Sequence, residues 1–324
     1  MKILITGIAG QDGSYLAEDF LKDGHVVDGI VRRPNNWRLD EIPVESKKHL
    51  RLFTGDIQDP QFMHDIFSRN DYDQVYHLAA QTHVGASFNM PKHTMEVNLM
   101  ATQVLLEAIR SSSEVLPNIY FASTSEVFGN ESELISTPGD GDHLVQTIDT
   151  SMRPVSPYGI AKLAAQQLCE YYRRAYGFSI GIGILFNHES PRRGEEFVTR
   201  KITSTLARIS HGADEYLELG DITSSRDFGW APQYAQIMRT ICQRGTTELL
   251  ATGDSHSIQE FLKLALELLN VPQSRVQIGI KQFTRPCDVK YLRGVSTIPF
   301  NTAVPFEGIV EQMCIADMIR VRKK

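Results

Sequence analysis

The first thirty residues leave few folds available to this chain. Lys2-Ile3-Leu4-Ile5-Thr6 is a short apolar run of strand character, glycines follow at positions 7, 10 and 13, and residues 15–21 carry the apolar spacing of a helix. A second apolar run, residues 24–31, completes a strand–helix–strand unit. Glycine at such positions turns the chain tightly, lets backbone approach a pyrophosphate with no Cβ in the way, and packs helix close to strand. The N–H groups at the helix start then face the phosphates. The pattern predicts a dinucleotide site built from Gly7, Gly10, Gln11, Asp12, Gly13 and Ser14.

The same alternation continues. Strands are expected over 51–56, 73–80, 118–123 and 179–186, with helices over 60–68 and 97–111 and another from Tyr158 onward. This is the pattern of an α/β fold, a Rossmann-type doubly wound parallel sheet with helices on both faces. Residues 130–153 are polar and poorly periodic and read as a surface loop. Beyond Asn187 the pattern is less regular, with helices over 200–210, 232–244 and 257–269. Residues 1–186 are therefore read as the dinucleotide-binding domain, and 187–324 as a smaller substrate-binding lobe interleaved with the last sheet elements.

Bulk properties narrow the function classes. At 324 residues, 42% hydrophobic and 22% charged, the chain can bury a sizeable core. A net charge of -6 argues against nucleic acid as the main partner, because phosphate binding calls for a basic face. Cys169, Cys242, Cys287 and Cys314 have no paired spacing, so neither a metal site nor a disulfide framework is indicated, and a reducing cytoplasm is the expected compartment. The first apolar run is too short for a signal peptide, and no run approaches a membrane span, so no membrane partner is expected.

The end of the second strand speaks to the cofactor. An acidic residue there would bond a ribose 2′-OH, but this chain has Val31-Arg32-Arg33, suited to a 2′-phosphate, so NADP is favoured over NAD. A solvated loop is an equally good account of either arginine alone. Asp56, beside Ile57, is placed to accept from the adenine amine, although an exposed turn aspartate looks the same in sequence. Leu78-Ala79-Ala80-Gln81 would lie along the nicotinamide side.

Tyr158 and Lys162 stand four apart at the start of a helix and so share one face. A cation beside a phenol lowers its pKa from about 10, making a tyrosine able to take and return a proton. By itself this spacing is that of any amphipathic helix.

Taken together, these residues resemble the extended short-chain dehydrogenase/reductase family. Ser123-Thr124-Ser125-Glu126-Val127-Phe128-Gly129 is similar to the catalytic segment of its nucleotide-sugar 4,6-dehydratases. Residues 185–194, continuing through Phe197-Val198-Thr199-Arg200-Lys201, resemble a segment of the GDP-mannose 4,6-dehydratase family. Arg226-Asp227-Phe228-Gly229 and Thr284-Arg285-Pro286 resemble stretches where arginines of that family reach the nucleotide diphosphate.

The resemblance implies GDP-mannose as the substrate, with Asn187, Val198, Lys201, Arg226 and Arg285 holding it and His188 and Arg193 against the cofactor. It implies a homodimer or homotetramer, because the arm over residues 33–38 lies where related dehydratases reach a neighbouring subunit. The implied reaction is a lyase sequence of oxidation at C4, loss of water across C5 and C6, and hydride return to C6. Tyr158 would take the 4-OH proton with Lys162 beside it, Thr124 would bond the 4-oxygen, and Glu126 would serve as C5 base and then as acid. Two further readings remain: a keto-sugar reductase or epimerase, which needs no C5 base, and a silent nucleotide-binding regulator, against which Thr124, Glu126, Tyr158 and Lys162 argue. The chain departs from the family pattern at Met100 and Trp230 and over residues 292–306.

Overall fold

The computed structural model describes residues 1–33, 36–137, 141–283, 285–300 and 302–322. β1 (Lys2–Thr6) leads through the glycine turn into α1 (Gln11–Lys22) and β2 (Val26–Val31), and a short α2 (Trp37–Asp40) precedes β3 (Leu50–Thr54), α3 (Pro60–Ser68) and β4 (Gln74–His77). Next come α4 (Val84–Asn89), α5 (Pro91–Met95), a π-helical turn over Glu96–Met100, α6 (Ala101–Ser112) and β5 (Asn118–Ala122). The hairpin of β6 (Glu133–Thr137) and β7 (Gly141–Val145) is followed by α7 (Pro157–Tyr176), β8 (Ile180–Leu185), β9 (Asn187–Glu189) and α8 (Val198–Ser210). The remainder runs β10 (Leu217–Glu218), β11 (Ser225–Trp230), α9 (Ala231–Arg244), β12 (Thr247–Leu250), β13 (Ser255–Ser257), α10 (Ile258–Leu269), β14 (Val276–Gln277) and α11 (Phe306–Arg322).

The chain forms two compact units, one of residues 1–127, 156–185 and 231–248, the other of 128–155, 186–230 and 249–324. In the central sheet the strand order is β12-β8-β5-β4-β1-β2-β3, with parallel pairing from β8 through to β3. Every residue of β8 is buried, as expected of a strand covered on both faces. Leu4, Val75, Ile119 and Ile182 pack with α3, α6 and α7 in one continuous core. The chain runs from β1 outward to β3 and returns to β4 on the other side of β1. That reversal makes the carboxyl ends of β1 and β4 the switch point where open α/β sheets bind ligands.

In the second unit, α8, α10 and α11 enclose a core with Phe228, Phe261 and Phe306, and β11 pairs with β9 and β13. Three local expectations are corrected. Residues 130–153 are not a plain loop: β6 and β7 pair antiparallel, with Leu134 opposite Leu144. The helix expected over 97–111 begins as a π-turn. α11 occupies a stretch for which no helix was expected, because its apolar residues do not keep to one face: Ile309 and Met313 are buried while Ile315 and Ile319 are exposed. Among the described residues no helix is long and apolar enough to cross a membrane.

Candidate active site

The glycine turn fits a dinucleotide. Gly7 has φ +71°, and a Cβ there would lie 2.7 Å from the backbone nitrogen of Ala79, so the loops after β1 and β4 meet backbone to backbone. A Cβ on Gly13 would lie 2.5 Å from the Gly7 carbonyl oxygen. Gly10 is the N-cap of α1 and contributes no side-chain cap, so no capping side chain competes with a phosphate for the first N–H groups. Gln11 Nε2 donates to Asp12 Oδ1 at 3.0 Å, while Ser14 Oγ donates to the Gln11 carbonyl at 2.8 Å and is buried. Arg33 and Asp56 are exposed and Ile57 is buried; Asp56 accepts from the Gln58 N–H at 2.9 Å.

After β4, Leu78, Ala79, Ala80 and Gln81 are half-buried. Asn98, inside the π-turn, holds Gln81 from both sides: Gln81 N donates to Asn98 Oδ1 at 2.7 Å, and Asn98 Nδ2 donates to the Gln81 carbonyl at 2.9 Å. The Gln81 Oε1 acceptor is buried without a hydrogen-bond partner among the described residues, and a buried acceptor of that kind calls for a donor from outside the chain. Asn98 was not expected as a site residue; a helix interrupted by a π-turn is its only signal, and that is invisible to periodicity.

Tyr158 and Lys162 sit at the start of α7. Ser156 Oγ accepts from the Gly159 N–H at 3.0 Å and Pro157 occupies the first turn, a pairing that starts helices. Tyr158 is 8% exposed and Lys162 4%. The Lys162 ammonium stands 4.4 Å from the centre of the Phe121 ring, and burial pushes its pKa down to about 8. His77 is buried between Thr6 Oγ1 at 2.9 Å and Thr102 Oγ1 at 3.1 Å. Burial, with the Lys162 charge adding to it, lowers His77 to about 3, so its ring is neutral near pH 7.

Thr124 and Glu126 emerge from β5 in a tight turn over Ser125–Val127, where Thr124 Oγ1 accepts from the Glu126 N–H at 3.3 Å. The turn packs against α7. Ser123 Oγ donates to Gln166 Oε1 of α7 at 2.7 Å, which sets the register of strand end against helix. Ser123 and Ser125 are both buried. Thr124, Glu126, Tyr158 and Lys162 are thus all held at the junction of β5 and α7. This arrangement places a carboxylate, a hydroxyl, a phenol and an ammonium in largely water-free surroundings, which suits proton transfer to and from a substrate carbon and its neighbouring hydroxyl.

The remaining expected residues belong to the second unit. Asn187 and His188 lie on β9, paired with Phe228 and Gly229 of β11. His188 Nδ1 is 2.8 Å from the Phe186 carbonyl, to which only a protonated Nδ1 can donate. The Arg193 guanidinium lies 3.8 Å from the Phe197 ring centre, and its Nε is 3.3 Å from Glu189 Oε2. That Nε makes no hydrogen bond among the described residues, so the contact with Glu189 is electrostatic. Val198 is exposed at the start of α8, and the Lys201 ammonium is 3.3 Å from the Phe283 ring centre, its pKa lowered by burial. Arg226 and Arg285 converge on Asp288 Oδ1, at 3.4 and 2.8 Å. Thr284 lies outside the described residues. Asp227 was not expected either: fully buried, it accepts from Thr252 N, Thr252 Oγ1 and Gly253 N at 2.8, 2.7 and 2.9 Å. Burial outweighs those bonds and pushes its pKa up to about 6.

Comparison with known proteins gives concordant matches. A family model described as GDP-mannose 4,6 dehydratase matches residues 4–297. A GDP-mannose 4,6 dehydratase of Drosophila melanogaster is 37% identical, the match covering 99% of this chain and 87% of that one. One from Caenorhabditis elegans is 42% identical over 97% of this chain and 88% of its own. Among solved structures, the UDP-glucose 4-epimerase of Thermotoga maritima superposes with a TM-score of 0.81 at 23% identity, covering 100% of both chains. A dTDP-glucose 4,6-dehydratase of Streptomyces venezuelae, solved with NAD bound, gives 0.82 at 21% identity over 98% and 96%. At such identities the structural matches speak to the Rossmann-type fold.

Proposed function

Because this chain belongs to the GDP-mannose 4,6-dehydratase family, we propose that it is a lyase converting GDP-mannose to GDP-4-keto-6-deoxymannose and water, with the catalytic work done by Thr124, Glu126, Tyr158 and Lys162. The observation that carries this reading is the Thr124–Glu126 turn packed on the helix that bears Tyr158 and Lys162. A reductase or epimerase needs the second pair without the carboxylate.

When bound, a nicotinamide cofactor accepts the C4 hydride and returns it at C6. The chain's own residues move the protons. Tyr158, with its phenolate favoured by the Lys162 charge, takes the proton of the 4-OH, and Thr124 donates to the resulting carbonyl oxygen. The C4 ketone acidifies C5, where Glu126 removes the proton. Glu126 then gives that proton to the departing 6-OH, which leaves as water. The proton on Tyr158 returns to C5 once C6 is reduced, so the substrate has lost one water and every side chain ends as it began. Glu126 is only 8% exposed, so both of its proton transfers take place away from bulk water.

NADP is the preferred cofactor on the strength of Arg33, whose guanidinium suits a 2′-phosphate. Asn187, Val198, Lys201, Arg226 and Arg285 hold the GDP-sugar, His188 and Arg193 meet the cofactor, and the protein works as a homodimer or homotetramer in the reducing cytoplasm. Cys169, Cys242 and Cys314 are buried free thiols, in keeping with that compartment.

Mass spectrometry of the nucleotide sugar after incubation with NADP tests the reading. The expected product is lighter by one water, with a deuterium placed on C4 recovered on C6 and no net NADPH. Unchanged GDP-mannose beside a different dehydrated nucleotide sugar would keep the chemistry and overturn the substrate.

A further inference from the structure

The second unit contains a buried ion pair to which the chemistry above gives no part. Arg200, in the first turn of α8, is 2% exposed, as is Asp317 in α11. The guanidinium grips Asp317 with two edges, Nε to Oδ2 at 2.8 Å and Nη2 to Oδ1 at 2.7 Å. Its Nη1 donates to the carbonyls of Pro191 and Arg193, at 2.8 and 2.9 Å. Asp317 is further fixed by Thr203 Oγ1 at 2.7 Å and by Arg320 at 3.2 Å.

Stability is a poor account of this arrangement. Desolvating both charges offsets most of their attraction, and an apolar pair of similar volume commonly serves the core as well. An apolar pair has no means of holding two backbone carbonyls, and a lysine lacks the planar fork that reaches carboxylate and carbonyls together. The captured carbonyls lie in the segment that carries Arg193, immediately before Val198 and Lys201.

We propose that Arg200 and Asp317 are positioning residues, a lock that holds the 190–197 segment so that Arg193 keeps its binding orientation. α11 thereby becomes part of the binding apparatus, although it supplies no residue to the ligand. The functional half of the proposal rests on the reading that Arg193 meets the cofactor.

The test uses the full-length protein carrying Arg200→Met together with Asp317→Leu, with Arg200→Lys as a second variant that keeps the ion pair while giving up the carbonyls. Thermal melting establishes folding, amide hydrogen exchange reads the 190–197 segment, and calorimetry reads NADP binding. The expected result is a folded protein whose 190–197 amides exchange at least tenfold faster, with NADP affinity weakened about tenfold and kcat at saturating cofactor changed much less. Exchange and affinity within twofold of the parent protein in the double variant would overturn the lock. Should the double variant fail to fold, wild-type exchange in Arg200→Lys overturns it equally. Absence of NADP binding by the parent protein would instead sink the cofactor reading, and the exchange rates would still decide on the lock.

Discussion

Lys162 in the first unit and the buried arginines of the second hold positive charge in opposite ways. In the first, Lys162 is buried against Phe121 with no ion pair among the described residues, and burial alone brings its pKa down to about 8. In the second, Arg226 and Arg285 are matched to Asp288, Arg200 to Asp317, Arg193 to Glu189 and Lys290 to Asp221, while Lys201, over the Phe283 ring with its pKa lowered by burial, resembles Lys162. A buried cation without a counter-ion is governed by its solvation and answers to pH. A paired cation is governed by its partner and answers to charge removal and salt. The chemistry proposed for the first unit needs an ammonium that tunes a phenol, and the binding proposed for the second needs guanidinium groups in fixed places.

The most severe way to break that contrast is Lys162→Met, which keeps the apolar contact with Phe121 and removes the charge. Turnover should fall by about 10²–10⁴-fold, the range of a lost proton-transfer partner, with GDP-mannose binding little changed. The pH profile sharpens the point. Lys162 loses its charge at about 8 in the ligand-free protein, and anionic ligands move that loss upward, so the parent enzyme should lose rate on an alkaline limb at or above about pH 8. The same limb surviving in Lys162→Met would show that another group titrates. Stability runs the other way. Because the folded pKa lies below the ordinary 10.5, the contribution of Lys162 is fully present above 10.5 and is lost as pH falls through about 8. The ligand-free parent should therefore gain stability between pH 8 and 10.5 relative to Lys162→Met, over the range where it loses activity.

How much of each unit was legible in sequence follows the same division. The glycine turn and the four-residue spacing of Tyr158 and Lys162 are local patterns and were readable, whereas Thr124 and Glu126 were singled out by resemblance. The second unit depends on partners far along the chain. Arg200 looks like any residue of an amphipathic helix until Asp317, 117 residues later, is brought against it. Arg226 and Arg285 were singled out by resemblance, but their common carboxylate was not. The β6–β7 hairpin escaped because both of its faces mix polar and apolar residues: Leu134 and Leu144, 66% and 49% exposed, share a face with Ser136 and Asp142, while Ile135 and Val145 share the other with Glu133 and His143. That leaves no clean alternation to read. α11 escaped for the related reason that its apolar residues are spread around the helix among charged ones such as Glu311, Asp317 and Arg320.

A smaller effect is expected from Gly7→Ala, which tests whether the first unit is fixed by backbone rather than by charge. The added Cβ meets Ala79 N at 2.7 Å and Ala79 Cα at 2.8 Å, both backbone atoms, and it does so at φ +71°. A left-handed alanine costs about 1–2 kcal/mol and an overpacked contact about 1–3 kcal/mol, so the variant should be destabilised by roughly 2–5 kcal/mol. Gly10→Ala is the control: its Cβ meets only the Gly7 carbonyl oxygen, at 3.1 Å, and Gly10 has φ -77°. Denaturant titration should rank Gly7→Ala well below Gly10→Ala, at a separation insensitive to salt. Equal midpoints would remove the backbone account of the turn.

The smallest effect concerns Asp288, and its sign is the informative part. Asp288 is 21% exposed and neutralises Arg226 and Arg285 together, so it competes with any diphosphate that approaches them. Asp288→Asn keeps the shape and removes the competing charge. Partly exposed pairs of this kind are worth about 0.2–1 kcal/mol, so GDP should bind up to about fivefold tighter at low ionic strength. The gain should shrink as salt is raised, because the Debye length falls from about 30 Å at 0.01 M to about 10 Å at 0.1 M. Calorimetry at the two ionic strengths reads both effects. Weaker binding at either would mean that Asp288 serves chiefly to aim the two guanidinium groups, and the second unit would then owe its affinity to geometry as much as the first.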